Sequence, residues 1–145
     1  MCYGVHLAME LEDKQRQQML NQLHTQPDGS TTIVCLCGSA SQKADFESAE
    51  CREELAGKIV FSLNIFSSSD GVKLSDSQIQ LITRLHYQKM DLAHEILIVL
   101  KPDPTGTKSL EQRLGIHTKQ ERDYAVKHRK LVNYYDPHNW AAKGV

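Results

Sequence analysis

No apolar run of the chain approaches the length that crosses a membrane, so no spanning helix is expected. Its first residues lack the basic start and apolar core of a secretory signal, which makes a cytoplasmic location the expectation. An excess of one charge is missing too. With 17 Lys and Arg against 18 Asp and Glu the formal net charge is -1, so no global basic field recruits a nucleic acid polymer. Cysteine is sparse. Cys35 and Cys37 lie two apart and Cys51 sits in a helical stretch, which supplies neither a disulfide framework nor the paired C-x2-C spacing of a zinc site. All four cysteines are expected to be reduced thiols, mostly buried. The seven histidines include no H-x3-H pair. Neither a metal nor a cofactor is expected. There is no Walker loop, no G-x-G-x-x-G fingerprint and no internal repeat.

What is present reads as one domain of ordinary composition, since 145 residues suffice to bury a core. Residues 1–30 stand apart. Leu7, Leu11, Met19, Leu20 and Leu23 recur at helical spacing, and Gln26-Pro27-Asp28-Gly29-Ser30 breaks the helix. This helix either packs on the flank of the domain or serves as an oligomer contact.

From residue 31 the pattern is βα, βα, βα, β. Thr31–Cys37, Lys58–Leu63, Glu95–Leu100 and Leu131–Tyr135 are short apolar runs suited to buried parallel strands. Helices are expected over about 43–55, from Asp76 to Ala93 behind the N-cap Ser75, and from the 115–121 region to about His128. On the middle helix Ile79, Ile82, Leu85, Met90 and Leu92 form the expected apolar side. The 64–74 segment is read as a lid, a substrate loop or a mobile connection. Residues 137–145 are a tail containing Trp140. Right-handed crossovers make the 31–136 domain a three-layer α/β sandwich, a parallel sheet with helices on both faces.

Ligands of such sheets bind at the strands' C-terminal edge. That edge collects Gly38 and Ser39, the 64–74 loop, Asp103, and Leu114-Gly115-Ile116-His117-Thr118-Lys119-Gln120-Glu121. Gly115 permits a tight turn or close approach to a ligand. His117 or Thr118 caps the following helix, and Glu121 sits one turn in, at the mouth of a cleft.

Four stretches resemble the nucleoside 2-deoxyribosyltransferase-like proteins, specifically small bacterial and phage members. They are Val34–Ser39, Gly57–Val60, Leu85–Val99 and Gly115–Ala125, followed by Lys130–Tyr134. The resemblance implies a flavodoxin-like (Rossmann-like) α/β domain that cleaves or transfers the N-glycosidic bond of a nucleoside, a nucleotide or an ADP-ribose-type molecule. It implies Glu121 as nucleophile, in a Gly-x-Ser/Thr-Thr-x-x-Glu type of motif, and a homo-oligomer, dimer or higher. Asp103 is the candidate general acid, with His86 and His117 as competitors. Gly38, Ser39, Asp91, Gly115, His117 and Thr118 are the candidate ligand-binding residues, and Cys37 is expected to be packed rather than nucleophilic.

The chain departs from the family pattern in four places. His94 stands where Asp is usual, and His117 where Ser is usual. The 101–114 link is longer and more polar, and Gly-Ser-Ala-Ser replaces a first turn that carries a basic residue. The alternative expectation is therefore a module that binds or sequesters a nucleotide-derived ligand without cleaving it.

Overall fold

The computed structural model describes residues 22–137 and, before them, the helical Gln15 and Gln18. The expected helix over 7–23 and the tail with Trp140 lie almost wholly outside the described residues.

The domain is a four-stranded parallel sheet with three long helices. Its elements are β1 (Ile33–Cys37), α1 (Lys43–Leu55), β2 (Ile59–Phe61), the short α2 (Ser67–Asp70), α3 (Asp76–Leu92), β3 (Glu95–Val99), α4 (Ile116–Lys127) and β4 (Leu131–Tyr135). The strand order is β2-β1-β3-β4, all parallel. This is the flavodoxin/Rossmann-like α/β arrangement. The chain reverses direction across the sheet between β1 and β3, and that crevice is where open α/β sheets place ligands.

Alternation along the strands divides the core in two. Val34, Leu36, Leu97 and Val99 face α1 and pack with Phe46, Ala49 and Tyr135. Cys35, Cys37, Ile96 and Ile98 face the other way and pack with Met90 of α3 and Ala125 of α4. The two central strands are thus apolar on both faces, which is why they read as continuous hydrophobic runs.

Ser75 caps α3 as expected. Its hydroxyl accepts from the Gln78 amide while the Gln78 side chain accepts from the Ser75 amide, a reciprocal capping box. The expected apolar face of α3 is corrected. Only His86 and Met90 are buried on it, whereas Leu85 and Leu92 are exposed. Ile79 and Ile82, in the first half of this helix, line a cavity.

The 26–30 break is a small antiparallel hairpin, with Thr25 bridged to Thr31 and the Gly29 amide donating to the Gln26 carbonyl at 2.9 Å. The 64–74 segment contains α2 and is tied down on α1. Phe66 is buried edge-on against Phe46, and Asp70 accepts from Lys43 Nζ at 2.6 Å. Leu63, just ahead of it, is this region's contribution to the cavity wall.

Candidate functional site

A cavity of about 470 Å³ opens at the C-terminal edge of the sheet. Its walls come from five places: Gly38, Ser39 and Ala40 after β1; Leu63 after β2; Ile79, Ile82, Thr83, His86 and Tyr87 on α3; Lys101 after β3; and residues 115–118, Gln120 and Glu121 at the start of α4. Three isoleucines, Ile79, Ile82 and Ile116, make much of the wall apolar. The polar groups gather towards His86 and Glu121. An apolar cleft of this size with a few convergent polar groups is the usual form of a small-molecule site.

At its base Glu121 Oε2 lies 2.6 Å from His86 Nε2. Glu121 is 9 % exposed and His86 6 %. The same nitrogen lies 3.4 Å from Cys37 Sγ, while His86 Nδ1 is buried without a hydrogen-bond partner. Burial acts to lower the imidazole pKa, but the hydrogen bond and charge of Glu121 outweigh it and the net shift is upward. The Cys37 thiol moves far above its ordinary range, through its hydrogen bond with Cys35, burial and the nearby Glu121 carboxylate. Cys37 is therefore a protonated, packed thiol at neutral pH and no nucleophile. Burial, followed by the charge of Glu121, also raises the Tyr87 phenol, which stays protonated as a donor beside the cavity.

The raised His86 value has a signed consequence. Within the range where Glu121 is ionised, the pair contributes its stability fully below about pH 6.5, the ordinary imidazole value, and loses it as pH rises through the higher folded value. The stability advantage of the wild-type chain over His86→Gln should therefore shrink as urea unfolding is repeated at rising pH. An advantage that grows with pH would contradict the ion pair.

Gly115 is the N-cap of α4, with no side-chain cap, so neither His117 nor Thr118 has the capping role expected of them. Both lie inside the first turn. Gly115 has φ -71° and ψ 165°, an extended conformation open to any residue, and its expected tight turn is absent. A Cβ there would meet only Lys101, with Nζ at an ordinary contact distance of 3.5 Å, so a side chain fits at this position. Gly38 is needed for close approach, since a Cβ would meet the Phe46 ring at 3.0 Å and the Val99 carbonyl oxygen at 3.1 Å. Ser39 Oγ is 2.7 Å from Ser41 Oγ, which holds the turn. Gln42 Nε2 fastens that turn to the end of β3 through the Leu100 carbonyl at 2.8 Å.

Gly38, Ser39, His86, Gly115, His117, Thr118 and Glu121 are thus brought to one cavity. Asp103 and Asp91 are not. Asp103 closes its own loop, accepting from the Lys108 amide at 3.0 Å and from Thr105 Oγ1 at 3.2 Å. Its carboxyl pKa is lowered: desolvation opposes the shift, but these hydrogen bonds together with that of the Thr107 amide and the charge of Arg113 prevail. The structure thus does not bring Asp103, the expected general acid, to the cavity. Asp103→Asn should leave any turnover within about twofold of wild type, because it touches the loop and not the cavity. A hundredfold loss in a steady-state assay would return Asp103 to the site. Asp91 accepts from the Tyr124 hydroxyl, and its backbone carbonyl takes Lys130 Nζ, both in the packing of α3 against α4.

Lys101 and Tyr87 belong to the cavity and were not legible as site residues. A cation directly after the third strand was the available signal for Lys101. Of the described cysteines, Cys35 and Cys37 are buried and Cys51 is exposed, and all three are free thiols. His94, at the position where Asp is usual in the resembled family, accepts the Ile33 amide through Nδ1 at 2.9 Å and so supports β1.

No described helix is long and apolar enough to cross a membrane. No protein-family profile, no curated protein and no solved structure matches the chain.

Proposed function

We propose that the chain cleaves or transfers the N-glycosidic bond of a nucleoside, nucleotide or ADP-ribose-type molecule, with Glu121 as nucleophile. The observation that carries this reading is the Glu121 carboxylate at the base of the cavity, 2.6 Å from His86 Nε2. The resemblance of the 115–125 stretch to the nucleoside 2-deoxyribosyltransferase-like family points to the same residue.

In this reading the sugar enters with its anomeric carbon towards Glu121. The carboxylate oxygen adds to that carbon as the C–N bond breaks and the electron pair leaves with the base. His86 fixes the carboxylate by its hydrogen bond. The base must receive a proton as it leaves. His117 takes that role in place of Asp103: it is exposed, lines the cavity, and stands four residues before Glu121, hence on the same helical face. Water or a second base then attacks the glycosyl ester, returns the carboxylate and restores the proton to His117. Cavity size suits the substrate class, since sites of roughly 300–1,000 Å³ hold molecules of this kind.

A second reading, a binding module, draws on the same pair. Glu121 is nearly buried and already engaged by His86, a state compatible with a carboxylate that only recognises a sugar hydroxyl. One experiment separates the two. The purified chain is incubated with nucleosides, nucleoside monophosphates, NAD and cyclic ADP-ribose, and products are followed by chromatography with mass detection. Free base from one compound supports the enzyme. One compound retained unaltered on the protein supports the module. A panel neither cleaved nor retained overturns both.

A further inference from the structure

Directly below the cavity floor three potential ligand atoms converge: Sγ of Cys35, Sγ of Cys37 and a ring nitrogen of His86, all within 4.8 Å of one another. All three residues are buried. Cys37 and His86 approach to 3.4 Å through Sγ and Nε2, and the same Nε2 is 2.6 Å from a Glu121 oxygen. Two thiols on one strand face and an imidazole from α3 therefore converge on one small volume, with the Glu121 carboxylate against the same imidazole. Sequence spacing hides this set, because C-x-C alone lacks a matching pair and the His is 49 residues on.

We propose that this cluster binds one borderline-soft divalent cation, Zn2+ by its chemistry, through Cys35, Cys37 and His86. Two sulfurs and one nitrogen, with the fourth position of a tetrahedral ion left to water, are a donor set that suits zinc and disfavours magnesium or calcium, which want oxygen. Entry is from the cavity, whose wall already includes His86 and Glu121. Coordination asks the His86–Glu121 contact to open slightly and both thiols to lose their protons, which pass to solvent. On the functional reading above, a cation held here takes the imidazole that positions the nucleophile, so metal binding and turnover oppose one another.

The test needs no substrate. The full-length reduced chain, freed of metal with a chelator, is titrated with Co2+ and followed by visible and near-ultraviolet absorption, then challenged with Zn2+. One equivalent should bind, with the visible bands of tetrahedral cobalt and a sulfur-to-cobalt charge-transfer band, and Zn2+ should displace it. Cys35→Ser, Cys37→Ser and His86→Gln should each weaken binding at least tenfold, since loss of even an outer-shell partner typically costs that much. Replacing the two remaining cysteines, Cys2 and Cys51, by Ser should change nothing. Circular dichroism checks each variant for folding, and any one of the three that folds decides the matter. Absence of the charge-transfer band, unchanged binding in a folded variant, or loss of binding in the Cys2/Cys51 variant overturns the proposal. A chain that takes up Co2+ but cleaves nothing removes only the enzymatic reading; one that cleaves in chelator and binds no Co2+ removes only this one.

Discussion

Glu121→Gln is expected to lower the rate of base release by roughly 10³-fold or more while leaving the chain folded. The amide matches the carboxylate in shape and still offers an oxygen to His86 Nε2, so the cavity should keep its form. It cannot supply the negative charge that an oxocarbenium-like centre demands, nor form the glycosyl ester. The substitution also has a spectroscopic signature. Glu121 is what raises the His86 imidazole against the opposing effect of burial, so removing the charge should drop the His86 pKa. Single-turnover kinetics and an NMR titration of His86 check the two effects. Turnover within tenfold of wild type would move the nucleophile elsewhere.

Lys58→Met is expected to cost about 3 kcal/mol of stability, the scale of breaking a buried ion pair from one side. Lys58 Nζ lies 2.8 Å from Glu95 Oε1 and 3.5 Å from Glu53 Oε1, at the end of the sheet opposite the cavity. Both glutamates are buried. Arg52 stays 3.5 Å from Glu53 in the variant, so Glu95 is the group left without a cation among these neighbours. For a domain of this size the melting temperature should fall by roughly 10–15 °C. Adding Glu95→Gln should recover much of that, because the stranded charge and not the missing methylenes carries the cost. A fall of only a degree or two in calorimetry would show the cluster to be effectively solvated.

These two sites differ in how much of them the chain's linear order reveals. The sheet was legible because β1 and β3 are buried on both faces and so read as unbroken runs of Val, Ile, Leu and Cys; Leu131–Tyr135 was read with the bounds it has. The Ser75–Gln78 box fixed the start of α3 for a purely local reason. Periodicity misplaces the apolar face of α3 because it reports an amphipathic stripe and not what lies beneath it: Ile79 and Ile82 of this stripe line the cavity, and Leu85 and Leu92 are exposed. Asp103 was misplaced for a related reason. The end of β3 does deliver residues to the ligand edge, and Lys101 is there. Two residues later the chain has already turned into its own loop, where Asp103 satisfies the amide of Lys108. The Asp-x-Thr spacing, with Thr105 bonded back to Asp103, was the local clue. The pairing of His86 with Glu121 spans 35 positions and exists only through packing of α3 and α4 against one face of the sheet. Both residues were candidates separately, and the fold alone joins them.

The central claim, a glutamate that takes the sugar covalently, is tested most directly by trapping. The chain is incubated with 2-fluoro-substituted nucleosides and nucleotides, whose electron-withdrawing fluorine slows hydrolysis of a glycosyl ester, and its intact mass is followed before peptide mapping. The predicted result is one added glycosyl mass per chain, located on Glu121, with release of one equivalent of base and no adduct in Glu121→Gln. Base release with no adduct, or an adduct on any other residue, contradicts it.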